Sequence, residues 1–147
     1  DSLTAGSPIP FSQELSHTRH YLELEQMRFG SRLNVIYGAP VTDFLIPPLT
    51  LQPIVENAVR HGIVKREEGG TLTISTAGTS EACTVTVTDD GIGFDPLKPM
   101  QDGKKHIGIQ NVQKRLQTQC HAILTIRSAP GCGTVAVITL PRNTAGK

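Results

Sequence analysis

From Cys83 to Thr88 the chain alternates strictly between apolar and hydroxyl side chains, and the run ends directly in Asp89-Asp90-Gly91-Ile92-Gly93. A period of two admits only an extended strand, with Cys83, Val85 and Val87 on one face and Thr84, Thr86 and Thr88 on the other. The two glycines that follow carry no Cβ, so the backbone there can turn sharply and lie close against another group. The rest of the fold has to accommodate this strand and the loop at its end.

Elsewhere the periodicity switches back and forth. Phe11 to Phe29 reads as a helix: Leu15, Leu22 and Phe29 recur at spacings of seven among charged and amide side chains, and Gly30 supplies the C-cap. Leu33 to Tyr37 reads as a short strand, broken off by Ile46-Pro47-Pro48. Leu49 to His61 reads as a second helix, with Pro53 early and Gly62 closing it. Thr71 to Thr76 alternates as another strand, joined to the first through the hairpin connection Gly78-Thr79-Ser80-Glu81. A loop rich in Gly, Pro and Lys runs from Gly91 to His106, and Ile109, Val112 and Leu116 then mark a third helix. Ala122 to Ile126 and Thr134 to Leu140 are strands flanking Pro130-Gly131. Three helices and about five strands, mostly joined by hairpin-length turns, predict an α+β chain, a two-layer α/β sandwich with a mixed, antiparallel-rich sheet.

Charge and cysteine usage exclude several function classes. The 14 Lys+Arg and 13 Asp+Glu of the 147 residues nearly cancel, to a net charge of +1, which argues against a broad nucleic-acid footprint or a polybasic membrane anchor. Three cysteines without a C-x-x-C spacing argue against a disulfide framework or a zinc site, and for a reducing compartment. No apolar run approaches the ~18 residues of a membrane span, and no signal-peptide pattern opens the chain. A soluble, cytosolic domain is expected.

Four segments carry candidate chemistry. Asp89, at the end of its strand, can accept a hydrogen bond from an amino group such as that of adenine; a lone D-x-G-x-G is, however, more often a strand-ending turn. On the second helix, Asn57, Arg60 and His61 are related by three and four residues and share a face, with Glu56 beside them. An amide oxygen and a carboxylate are hard ligands suited to Mg²⁺ and Arg60 suits a phosphate, while a solvated polar face is the plainer alternative. His106-Ile107-Gly108-Ile109-Gln110-Asn111 sets a glycine immediately before a helix, where free N–H groups form an anion site, although the G-x-x-x-x-G-K-S/T spacing of a P-loop is absent. Gly131-Cys132-Gly133-Thr134 is, alone, a hairpin turn.

In order and spacing the four segments resemble the N, G1, G2 and G3 boxes of the ATP-binding domain shared by histidine kinases, gyrase B and MutL, the GHKL superfamily with its Bergerat fold. Leu51-Gln52-Pro53-Ile54-Val55-Glu56-Asn57-Ala58 followed by His61-Gly62 looks like the N box of LytS-like sensor histidine kinases, and Tyr21-Leu22-Glu23-Leu24-Glu25 with Arg28-Phe29 resembles the helix that precedes it. The resemblance covers about residues 11 to 141. It implies Asn57 as the Mg²⁺ ligand, Arg60 as the phosphate-reaching base with His61 near it, and Asp89 as the reader of the adenine amino group, with Gly91 and Gly93 shaping its loop. Ile107, Gly108 and Asn111 belong to the G2 side of the nucleotide site, and Gly131, Gly133 and Thr134 to G3. The stretch from about Asp95 to Ile107 corresponds to a mobile lid over ATP. Two departures stand out: His106 replaces the first G2 glycine, and Pro53 stands where gyrase-type ATPases place a water-activating Glu. Glu56 adjoins the metal ligand instead, where it is expected to assist metal or nucleophile.

The function implied is transfer of the ATP γ-phosphoryl group, with Mg²⁺, to a histidine on a dimerisation and phosphoacceptor segment, for relay to a cognate response regulator. A GHKL-type ATPase and a degenerate nucleotide-binding module are the alternatives. The expected organisation is a flexible lead-in over 1–10, the end of the dimerisation helix over 11–30, the ATP-binding domain over 31–141 and a tail over 142–147. The resemblance further implies a membrane-anchored homodimer in bacteria with this part in the cytoplasm, while the 147 residues alone are expected to be monomeric and to lack autophosphorylation. His17 and His20 read as an exposed helical pair, not as a metal or phosphoacceptor site; the family's P-H-F-N-like acceptor motif is absent from these residues. His121 reads as the start of a strand.

Overall fold

A computed structural model describes residues 7–95, 97 and 107–142. In chain order it contains β1 (Ile9–Pro10), α1 (Phe11–Phe29), β2 (Leu33–Gly38), β3 (Leu45–Ile46), α2 (Leu51–His61), β4 (Gly70–Gly78), β5 (Ala82–Asp89), α3 (Ile107–Cys120), β6 (Ile123–Ser128) and β7 (Thr134–Pro141). Five strands form one sheet in the order β2-β4-β5-β7-β6. Among the described residues only β2 and β4 pair in parallel, and α2 lies in the crossover between them, as a parallel pair requires. The other three pairings are antiparallel. The mixed, antiparallel-rich sheet read from the sequence is the one observed.

The alternation of β5 decides how the sheet faces its helices. Cys83, Val85 and Val87 are buried, whereas Thr84, Thr86 and Thr88 are half-buried on the other face. Leu72 and Ile74 of β4 and Ala136, Ile138 and Leu140 of β7 join Val85 and Val87 in the core. Onto this face pack Leu51, Ile54, Val55, Ala58 and Val59 of α2 and Ile109, Val112 and Leu116 of α3. Asp89 continues the inward register of β5, so the strand delivers a carboxylate to the same side as the helices.

Helix α1 contributes Phe11, Leu15 and Leu22 to this one core, so packing draws no boundary at residue 30. Phe11 also stacks on Phe44, with ring centroids 4.8 Å apart. Its Gly30 cap is as expected, at φ 58, and His17 and His20 are exposed. Four expectations are corrected. Ile9 and Pro10, read as lead-in, pair with Ile46 and Leu45 as a small antiparallel ribbon. Helix α2 begins at Leu51, because Leu49 adopts φ 60, outside the helical region; Pro53 then falls in the first turn, where its missing N–H leaves no bond unmade. Gly108 lies inside the first turn of α3, not ahead of it. His121, at φ 54, terminates α3, with the Ala122 N–H bonded to the Leu116 carbonyl at 3.1 Å, and β6 starts only at Ile123. His106 and nearly all of the expected lid lie outside the described residues. Among those described, no helix is long and apolar enough to cross a membrane.

Candidate functional site

Asp89 is the chemical centre of the sheet's inner face: a carboxylate only 4% exposed. Its Oδ1 accepts the Gly91 N–H at 2.8 Å, and its Oδ2 has no protein partner among the described residues. Burial pushes its pKa from 3.8 up to about 6; the Gly91 N–H opposes the rise and the Asp90 charge adds to it. A buried carboxylate with one oxygen satisfied and the other open is a specific acceptor for a donor brought in by a ligand.

Three distant segments converge on this carboxylate by backbone contact. Gly91 lies so close to the end of α2 that a Cβ there would stand 2.2 Å from the Gly62 carbonyl carbon. The Ile92 N–H donates to the Gly62 carbonyl at 3.3 Å, and the Ile92 carbonyl accepts the Gly131 N–H at 2.6 Å. Gly93 backs onto Ala129 in the same way. Thr134 sits directly opposite Asp89 in the β5–β7 pairing. Ser128 ties this corner together: its Oγ accepts the Phe94 N–H at 2.9 Å, donates to the Gly133 carbonyl at 2.8 Å, and lies 2.8 Å from the Thr134 Oγ1. Ser128 had no signal in the sequence, since a serine at a strand end before Ala-Pro-Gly is ordinary turn chemistry.

The second half of the site is the space between α2 and α3. A cleft of ≈ 330 Å³ is lined by Leu49, Gln52, Pro53 and Glu56 from the α2 side and by Asn111, Val112 and Arg115 from α3. Glu56 Oε2 accepts a hydrogen bond from Gln52 Nε2 at 2.9 Å. Asn57 is half-buried, with no side-chain hydrogen bond among the described residues, and His61 is half-buried at the last position of α2. Arg60 is exposed and lies close to Tyr21 of α1, where it opposes the rise in the hydroxyl's pKa caused first by burial and then by the charges of Glu25 and Glu56. Ile107 and Gly108 fall in the opening turn of α3. The structure thus joins Asp89, Gly91, Gly93, Gly133 and Thr134 in one cluster with the end of α2, and Glu56 with Asn111 across the cleft. Among the described residues no group of three or more His, Cys, Asp or Glu side chains is placed to hold a metal ion.

Residues 48–144 match the family described as histidine kinase-, DNA gyrase B-, and HSP90-like ATPase. The chain is 37% identical over 130 residues to YwpD of Bacillus subtilis (84% of this chain, 47% of that protein). It is 32% identical over 128 residues to the sensor protein LytS of Oceanobacillus iheyensis (78% of this chain, 22% of that protein). It therefore spans half or less of the length of these relatives. In fold it is similar to the catalytic domain of the histidine kinase ThkA, with a TM-score of 0.71 at 13% identity, over 92% of this chain and 96% of that one.

Proposed function

The chain belongs to the family of histidine kinase-, DNA gyrase B- and HSP90-like ATPases, as an ATP-binding catalytic domain of the histidine kinase type, and we propose that Asp89 and its glycine-lined surroundings bind the adenine of ATP for phosphoryl transfer to a histidine. The observation that carries this reading is the open Oδ2 of the buried Asp89. Adenine's exocyclic amino group is a donor that satisfies it, and the close backbone approach of Gly91 to Gly62 fixes the loop that holds the carboxylate. Guanine presents a carbonyl at the corresponding position and leaves the carboxylate unpaired, which a buried site penalises heavily.

The phosphates then extend toward α2 and α3. The opening turn of α3, with Ile107 and Gly108, offers free N–H groups to an anion, and Asn111, Arg60 and His61 supply polar and basic contacts. Asn57 fits a Mg²⁺ ligand: its amide oxygen is a hard donor, and the residue is half-buried with no side-chain hydrogen bond among the described residues. Held there, Mg²⁺ would supply charge neutralisation for the phosphates. Glu56 faces the cleft, where it can orient an incoming imidazole and accept its proton. In the transfer, the bond from the γ-phosphorus to the β–γ bridging oxygen breaks as the bond to the imidazole nitrogen forms, and ADP leaves. Pro53 lines the same cleft but has no group to activate water, which favours transfer over hydrolysis. The acceptor histidine belongs to a dimerisation segment in a membrane-anchored bacterial sensor, with this domain in the cytoplasm and a response regulator as the next acceptor.

Incubation of the 147-residue chain with γ-labelled ATP and a separate helical hairpin bearing a phosphoacceptor histidine tests this. The hairpin is expected to acquire acid-labile, alkali-stable label while the chain itself stays unlabelled. Rapid phosphate release without the hairpin would favour an ATPase, and label on the chain that disappears in His17→Gln would place the acceptor on α1. Asn57→Ala is expected to weaken nucleotide binding mainly when Mg²⁺ is present; identical affinities across a Mg²⁺ titration would remove Asn57 from the metal site.

A further inference from the structure

Leu49 holds a backbone conformation that non-glycine residues seldom adopt, at φ 60, while the residue is 64% exposed and outside the hydrophobic core. The explanation lies in its peptide groups. Its N–H donates to Glu14 Oε1 of α1 at 3.3 Å, and its carbonyl accepts from the guanidinium of Arg115 of α3, which also reaches the Pro48 carbonyl at 3.4 Å. Glu14, 3% exposed, uses its other oxygen for the N–H groups of Thr50 and Leu51, each at 2.9 Å. The start of α2 has no side-chain cap of its own, since the Thr50 hydroxyl bonds back to the Pro47 carbonyl at 2.6 Å. A carboxylate from one helix therefore satisfies the orphan donors of a second, and the carbonyls of the same peptides, 48–49 and 49–50, are gripped by the cation of a third.

We propose that Glu14 and Arg115 are paired positioning residues that clamp the Leu49 peptide from opposite sides and so set the spacing between α2 and α3. This rests on the nucleotide-binding reading above, because that spacing separates Glu56 and Asn57 from the α3 turn where the phosphates bind. A cap that merely stabilised α2 would need neither the left-handed Leu49 nor the second grip from α3. The clamp predicts that either residue, though outside the phosphate contacts, tunes nucleotide affinity, and that the two act as a unit.

The test compares wild type, Glu14→Gln, Arg115→Ala, Arg115→Lys and the Glu14→Gln/Arg115→Ala double variant of the full chain, by ADP calorimetry, thermal unfolding and backbone amide NMR. Each single loss is expected to weaken ADP binding about tenfold, the scale of one charge-assisted hydrogen bond, with the double variant little worse than the worse single. Arg115→Lys, which keeps the charge but not the fork, should recover part of the affinity. Without nucleotide, Glu14→Gln should shift the amide signals of Asn111 and Val112 on α3, and that shift should vanish in the Arg115→Ala background. Lowered melting temperatures with ADP affinity unchanged and α3 signals unmoved would overturn the clamp, as would losses that simply multiply. Should Arg115→Ala not fold, Arg115→Lys carries the same comparison. If wild type binds no ADP, the nucleotide reading fails, and the amide shifts alone decide the clamp.

Discussion

Asp89→Asn is expected to stabilise the protein at pH 8 while weakening its hold on adenine nucleotides. The folded protein binds the Asp89 proton more tightly than the unfolded chain does, because burial raises the pKa from 3.8 to about 6. The contribution of this group to stability is therefore fully present below about pH 4, falls as the pH rises toward 6, and stays lost above that. A shift of this size corresponds to about 3 kcal/mol of destabilisation from the ionised form. Asparagine has nearly the same shape and can still accept the Gly91 N–H, but carries no charge to desolvate. Its melting temperature at pH 8 should exceed wild type by roughly 5–10 °C, and the gain should shrink toward zero near pH 4. Nucleotide binding moves the other way: replacing a charged acceptor by an amide that can present donors should cost about tenfold to a hundredfold in ADP affinity and erode the preference over GDP. Calorimetric melts from pH 4 to 8 and nucleotide titrations check both halves. Coincident melts at pH 8 together with unchanged ADP binding and unchanged preference would reduce Asp89 to a turn residue. A native carboxylate that costs stability is the pattern expected where burial serves a ligand and not the fold.

What could be read from the sequence follows the reach of each signal. Alternation in β5 announced both the covered face and the inward placement of Asp89, since strand periodicity is local and survives any tertiary arrangement. The spacing of Leu15, Leu22 and Phe29 likewise announced the packed stripe of α1, with the first two buried and Phe29 against the core. Glu14 was invisible for the opposite reason: beside Ser12, Gln13 and Ser16 it looks like part of a solvated surface, and it is buried only because α2 begins against it. Arg115 has the same character, since a cation in the middle of an amphipathic helix is ordinarily exposed and nothing local reveals the carbonyls of Pro48 and Leu49. Helical spacing put Arg60 on the Asn57 face, offset by about 60° round the helix, but its place beside Tyr21 of α1 is a long-range contact that spacing does not carry. Motif order pointed to the loops of the candidate site; the contacts between them are long-range and needed the fold.

Gly91→Ala is expected to be severely damaging for a single added methyl. The added Cβ would lie 2.2 Å from the Gly62 carbonyl carbon, 2.5 Å from its oxygen and 2.6 Å from its Cα. All three are backbone atoms, so no side chain can swing aside, and either the end of α2 or the Asp89 loop must move. Movement breaks the Ile92 N–H bond to Gly62 and displaces the Gly91 N–H from Asp89, leaving a buried carboxylate with neither oxygen satisfied. Overpacking against rigid backbone together with a stripped buried acceptor should cost about 3 kcal/mol or more, and ADP binding should be lost even where the chain remains folded. Gly131→Ala is the matched control: its φ of 81 imposes a conformational penalty, but nothing lies within 4 Å of the added atom. It should cost about 1–2 kcal/mol and leave ADP binding near wild type. Urea unfolding and ADP calorimetry on the two variants separate the effects. Equal stability losses, with ADP bound normally by Gly91→Ala, would show that the approach of Gly62 to Gly91 does not hold the Asp89 loop in place.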